Sequence, residues 1–247
     1  MTTTSTANPS RATYEAKIER IFDHTLDTRS FFLRLMNSPR LTFLPGQFLS
    51  FALPVDSETL IRPYSIASSP EDNDLLEICL NVVPNGMGSH YLFSREVGDT
   101  LRFTGPWGTF VLDRPPEAEC VFIADGPGIA PIRPMLRRAL TSFSRPFPVR
   151  LLYSAPSERD VLYHEEWETW EKQCDRFIFT PLLNHLPERW QGLHDSFIEY
   201  VNHRYILQDQ DRSRHFYICG VGQQITQLRD LLRRAGYQRR AVQYEKW

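Results

Sequence analysis

The sequence predicts a two-domain β plus α/β protein: an N-terminal antiparallel six-stranded barrel followed by a C-terminal domain on a parallel sheet. Three observations carry that expectation. As far as Asp113, short apolar runs are broken by Pro, Gly and Asp turns, with almost no helical period. At Arg114-Pro115-Pro116-Glu117 the texture changes, with two prolines between charged flanks. Beyond it apolar strands alternate with helical segments, a βα repetition that needs a largely parallel sheet covered on both faces. The expected division is a flexible tail over 1–13, a barrel domain over 14–114 and an α/β domain over 118–247.

The first-half strands are expected at Ala16 to Thr25, Ser30 to Met36, Phe48 to Leu53, Arg62 to Ala67, Leu75 to Val83 and Thr100 to Thr104. Pro45-Gly46-Gln47 supplies a turn, and Ser89 is expected to cap one short helix after Gly86-Met87-Gly88. In the second half, the strand Cys120 to Ala124 leads to a helix over Pro131 to Ala139. Val149 to Ser154 leads to a helix around Tyr163 to Lys172, and Phe177 to Thr180 to one around Leu193 to Val201. Phe216 to Cys219 leads to Gln223 to Ala235, and Ala241 to Tyr244 closes the series.

A chain of 247 residues is near the size at which one core splits into two. Its net charge of -2 argues against a nucleic-acid binder, which shows a strong basic excess. The pairs Arg137-Arg138, Arg233-Arg234 and Arg239-Arg240 fit a solvated surface. No apolar run approaches the ~20 residues that span a bilayer, so no membrane span is expected. Met1 to Ser10 has no basic region followed by an apolar core, so it reads as a loose tail rather than a signal peptide. Cys79, Cys120, Cys174 and Cys219 form no CxxC pair, which removes the local signature of zinc or iron–sulfur ligation, and no metal site is expected. Free core thiols fit a reducing cytoplasm, the expected location.

The chemistry concentrates in Arg62-Pro63-Tyr64-Ser65. A guanidinium suits a diphosphate, a phenol offers a flat face to a ring, and a hydroxyl reaches the ring edge; together these suit a flavin. Read alone, Arg-x-Tyr-Ser fits a strand in any barrel. Asn85-Gly86-Met87-Gly88-Ser89 is either a phosphate-approach loop at a helix start or a bare turn. Gly105-Pro106-Trp107-Gly108 is either a tight turn with an aromatic on either side or a set of core aromatics joining the domains. Asp125-Gly126-Pro127-Gly128-Ile129-Ala130-Pro131 ends an apolar strand and opens a helix, the place for a dinucleotide diphosphate in a βα domain. It lacks the Lys-Ser/Thr pair of a nucleotide-hydrolysing loop. Cys219-Gly220-Val221-Gly222 ends a later strand, where glycines permit close approach of a planar ring.

These motifs, in this order and with Glu245 before the terminal aromatic, resemble the ferredoxin–NADP(+) reductase superfamily, especially its bacterial single-flavin reductases and oxygenase reductase modules. The resemblance spans about Ala16 to Trp247. It implies FAD together with NADH or NADPH. It assigns Arg62, Tyr64 and Ser65 to flavin, with Gly86, Gly88 and Ser89 near its diphosphate. Gly126, Gly128 and Ile129 face the pyridine nucleotide, and Ser65, Cys219 and Glu245 shape the hydride-transfer spot. Trp247 ends close to the isoalloxazine. The implied activity is FAD-dependent NAD(P)H oxidation that passes electrons to a ferredoxin-like iron–sulfur protein or oxygenase component on another chain.

Departures from the family's pattern leave other readings open. Gly126-Pro127-Gly128 stands where the family has Gly-Thr-Gly, and Cys219-Gly220-Val221 where Cys-Gly-Pro is common. Pro156 and Pro181-Leu182 stand where cations for a 2′-phosphate are usual, which favours NADH, although Arg159 lies close by. Trp190-x-Gly192 is retained while Asp195 replaces a glycine. One alternative is a reductase of free flavin or another small acceptor. The other is a flavin-binding regulatory or assembly subunit with a degenerate nicotinamide site.

Overall fold

Two sheets meet side by side, each built by a different rule of pairing. The computed structural model describes residues 12–72, 75–142, 146–183 and 197–247. The flexible-tail expectation over residues 1–11 and the Trp190-x-Gly192 and Asp195 readings lie outside the described residues.

The first sheet holds β1 (Thr13–Asp23), β2 (Thr28–Leu35), β3 (Phe48–Val55), β4 (Glu58–Ser65), β5 (Leu76–Asn81) and β6 (Thr100–Trp107) in the order β4-β3-β6-β1-β2-β5. All its ladders are antiparallel. It curls until Ile66 and Ile78 bridge its two edges, enclosing Ile18, Phe31, Leu49, Phe51 and Phe103. The hairpin β3–β4 is tight, so β4 begins at Glu58 rather than at Arg62 as the apolar pattern suggests. Glu58 to Arg62 is largely exposed, so its residue types carry no burial signal. Helix α1 (Met87–Phe93) follows β5, and its N-cap is Gly86, not Ser89. Ser89 turns inward: its hydroxyl donates to the Gly86 carbonyl (2.9 Å) and accepts from the Val83 N–H (3.0 Å), fixing the turn instead of capping the helix.

The second sheet is wholly parallel, with β7 (Cys120–Asp125), β8 (Val149–Ala155), β9 (Phe177–Leu183), β10 (His215–Gly220) and β11 (Val242–Lys246) in the order β11-β10-β7-β8-β9. Helices α2 (Ile129–Thr141), α3 (His164–Gln173), α4 (Phe197–Asn202) and α5 (Gln223–Arg234) cover it. Cys120 to Ala124 is buried throughout, yet still alternates: Phe122 and Ala124 face the α2–α3 core, Val121 and Ile123 the α4–α5 core. The chain runs β7 to β9 on one side of the sheet, then returns to β10 on the other. This makes the β7/β10 crevice the topological switch point.

The halves share packing, because Ala67, Cys79, Phe110 and Leu112 of the first sheet's side enter the α2–α3 core. A buried polar network locks them. Glu77 on β5, 3 % exposed, accepts from Ser30 Oγ (2.7 Å), Tyr163 Oη (2.8 Å) and Arg133 Nη1 (2.6 Å). Arg133 on α2 also reaches the Ala67 carbonyl (3.1 Å) and, through Nε, Glu166 on α3 (2.7 Å). Its guanidinium lies over the Tyr163 ring, 4.3 Å from the centroid. Tyr163 holds a left-handed backbone (φ 57°), a conformation that costs a bulky residue about 1–2 kcal/mol. Its bond to Glu77 across the domain junction offsets that cost.

Candidate functional site

A cavity of about 460 Å³, the size of a small-ligand site, opens between the two sheets. Of the residues expected to bind cofactor, Arg62, Tyr64, Ser65, Gly86, Gly88, Ser89 and Trp247 line it. They arrive from three places: the end of β4, the turn into α1, and the terminus just past β11. Arg62 is exposed and donates to the Ile61 carbonyl (2.8 Å), and among the described residues no carboxylate is ion-paired with it. Tyr64 is half-buried and edge-on to Phe51 (5.8 Å), and burial lifts its phenol to about 12 against the pull of Arg62. Trp247 donates its backbone N–H to the Gly220 carbonyl (3.1 Å) and meets Phe48 edge-on at 6.2 Å.

Gly88 is dictated by this wall. A Cβ there would sit 2.9 Å from the Arg62 stem and 3.2 Å from the Tyr64 hydroxyl. Gly88→Ala should change thermal stability little, since the shift forced on Arg62 and Tyr64 offsets the gain of about 1 kcal/mol by which Ala favours a helix. By displacing Arg62 and Tyr64 it should weaken FAD about tenfold, read by flavin fluorescence titration of the apoprotein.

Ser65, Cys219 and Glu245 converge at the domain junction. Ser65 is paired with Phe48, whose ring touches Trp247, and Glu245 lies beside Cys219 in the parallel β10–β11 register. Among the described residues the Ser65 Oγ and the Glu245 Oε1 are buried and neither makes a hydrogen bond of good geometry, although the two groups lie near enough to interact. Burial lifts the Glu245 carboxyl to about 7, with the Ser65 hydroxyl pulling it partly back. Cys219 is fully buried, and that burial, reinforced by Glu245, pushes its thiol well above the ordinary range. It stays a neutral thiol and is no nucleophile.

The nucleotide turn differs from the expectation in detail. Gly126, Gly128 and Ile129 do not line the cavity; Pro127, Ala130 and Val221 do. A Cβ at Gly128 would meet the Cys219 carbonyl oxygen at 2.3 Å, so this glycine serves the packing of the turn onto β10. Arg159 is exposed on a short 3-10 turn after β8, away from the cavity, with Ser157 and Asp160 bonded to each other beside it. Leu80 and Asn81 also line the cavity, and nothing in an isolated residue's type marks it as lining.

A cation without a carboxylate partner among the described residues, a glycine-shaped wall and the Ser65–Glu245 pair at the junction are features that fit a flavin. A two-domain oxidoreductase with one nucleotide per domain is the class this architecture defines. An oxidoreductase FAD-binding domain model matches residues 15–112, and an oxidoreductase NAD-binding domain model matches residues 122–230. The chain is 31 % identical to ferredoxin–NADP reductase B of Sorangium cellulosum, over 83 % of this chain and 85 % of that protein. It is also 31 % identical to the anthranilate 1,2-dioxygenase electron transfer component of Acinetobacter baylyi, over 73 % of this chain but only 51 % of that one. Among solved structures, an Amycolatopsis cytochrome P450 reductase superposes with a TM-score of 0.83 at 23 % identity, covering 95 % of this chain and 69 % of that one. A ferredoxin NADP+ reductase from Neisseria gonorrhoeae with bound FAD and NADP gives 0.79 at 22 %, covering 95 % and 98 %. At those identities the structural matches establish the fold. The chain belongs to the ferredoxin–NADP reductase family, and it is a flavin-dependent NAD(P)H oxidoreductase with FAD and a nicotinamide nucleotide as cofactors. Among the described residues, no helix is long and apolar enough to cross a membrane.

Proposed function

We propose that this chain passes electrons from NADH or NADPH through FAD to a ferredoxin-like iron–sulfur protein or oxygenase component on a separate polypeptide. The observation that carries the reading is the cavity itself, where Arg62, Tyr64, Ser65 and Gly88 of the first half meet Pro127, Val221 and Trp247 of the second. Two relatives point the same way, being named as an oxygenase's electron transfer component and a monooxygenase reductase subunit.

Bound FAD supplies the conversion between a two-electron donor and a one-electron acceptor. In this reading Arg62 binds the flavin diphosphate, with the backbone of Gly86, Gly88 and Ser89 alongside. Tyr64 and Trp247 flank the ring and exclude water. Ser65 directs its hydroxyl to the reacting edge, and Glu245 holds or releases a proton next to it near neutral pH. Cys219 shapes the spot as a neutral thiol. The turn at Gly126, Gly128 and Ile129 seats the nicotinamide nucleotide, and Arg159 is the cation nearest to a 2′-phosphate.

Anaerobic stopped-flow mixing tests the reading. NADH or NADPH should bleach the flavin absorbance of the loaded protein, and an oxidised [2Fe–2S] ferredoxin should restore it. An unchanged spectrum with both donors, while dithionite still bleaches, overturns the donor side. Recovery with free flavin but not with ferredoxin assigns the chain to small-acceptor reduction instead.

A further inference from the structure

The β7/β10 crevice, where a dinucleotide diphosphate is expected at a switch point, already contains an anion. Asp125 is the last residue of β7, and its Cβ lies against Gly220 at the end of β10, where a methyl group would come within 2.6 Å. Its carboxylate accepts from Gln224 Nε2 on α5 (2.7 Å). The Ser154 side chain and the Val221 backbone N–H lie close enough to favour its charged form. Val221 and Pro127, on either side of this carboxylate, both line the interdomain cavity. The crevice is also short of donors, since Pro127 has no N–H to offer. A carboxylate here repels an incoming phosphate and holds the Gln224 amide, a donor that the phosphate could otherwise use.

We propose that Asp125 sets the donor affinity of this reductase by competing, as a built-in anion, with the diphosphate of the nicotinamide nucleotide. The proposal rests on placing that nucleotide at the β7/β10 crevice. Asp125 and Gln224, bonded to each other, must rearrange together as the diphosphate enters. Asp125 is therefore an affinity-determining residue with no part in the chemistry. Burial, the larger effect, raises its carboxyl above the ordinary range, and the Gln224 bond offsets it only in part.

Calorimetric titration of the FAD-loaded protein with ADP-ribose tests this, because that probe carries the diphosphate without the reacting ring. Asp125→Asn keeps the shape and removes the charge, and it should bind ADP-ribose at least about tenfold tighter, a difference of about 1.4 kcal/mol. Adenosine, which has no phosphate, should bind both proteins equally. Unchanged or weaker ADP-ribose binding by Asp125→Asn, or an equal gain for adenosine, overturns the proposal. Val221→Trp separates the two levels of the argument, since Val221 is exposed at the cavity mouth. If Val221→Trp abolishes ADP-ribose binding while Asp125→Asn fails to tighten it, the placement stands and the role of Asp125 falls. If Val221→Trp leaves ADP-ribose affinity intact, the placement itself falls, and the proposal with it.

Discussion

Replacing Arg133 with methionine is expected to lower the unfolding free energy by about 3–5 kcal/mol, because it strands Glu77 as a buried carboxylate without its cation. Glu77 would retain the Ser30 and Tyr163 hydroxyls, which donate to Oε1, but Oε2 would lose its 2.6 Å bond from Arg133. Glu166 on α3 and the Ala67 carbonyl would lose donors in the same substitution. The damage is concentrated between the halves of the molecule, since Arg133 and Tyr163 belong to the α/β side and Glu77, Ser30 and Ala67 to the barrel side. A urea titration of the apoprotein reads the loss. The double variant Glu77→Leu/Arg133→Met should recover much of it, because a buried pair replaced by apolar residues is often neutral. A single-variant loss below about 1 kcal/mol would mean that the network contributes no more than an exposed ion pair.

The second large effect concerns Glu245. Its folded-state carboxyl is raised from 4.5 to about 7, so the folded protein binds this proton more tightly than the unfolded chain. The sign follows. Below pH 4.5 the group is protonated in both states and costs nothing; above about 7 it is ionised in both, and its burial cost is fully present. Stability of the apoprotein should therefore fall as pH rises from 4.5 to about 7, by about 3 kcal/mol at most. Glu245→Gln should remove that decline, and a thermal-unfolding series across this range checks it. In the loaded enzyme the same substitution should slow flavin reduction about a hundredfold, within the range for loss of a positioned proton carrier. It should also flatten the pH dependence of the rate near neutrality. A purely structural role for Glu245 would lower the rate without changing the shape of that profile.

Legibility followed sequence distance. The strands of both sheets could be read because alternation, Pro and Gly turns and βα repetition are properties of contiguous residues. The exposed first half of β4 escaped, because Glu58 to Arg62 buries too little for its residue types to report a strand. The inward turn of Ser89 escaped for a related reason: a serine before a helix reads as a cap, and only the position of Val83 redirects its hydroxyl. Gly128 was legible as necessary but not as to cause, since the atom it avoids is the Cys219 carbonyl of a strand far along the chain. Asp125 reads as a plain charge beside glycines, because its significance depends on Gln224 arriving from α5.

The sequence by itself determined the order of elements, the change from antiparallel to parallel architecture, and the motifs Arg62-x-Tyr64-Ser65, Gly126 to Pro131 and Cys219-Gly220 that carry the family likeness. Local propensity, turn chemistry and hydrophobic period act over a few residues, so they are written where they operate. Only the tertiary structure decided that Glu77, Arg133, Tyr163 and Glu166 form one lock, that Ser65 and Glu245 share one junction, and that Asp125 stands in the β7/β10 crevice. Burial, charge pairing and the occupancy of a crevice depend on distances between residues remote in the chain, and those distances exist only once the two sheets have packed together.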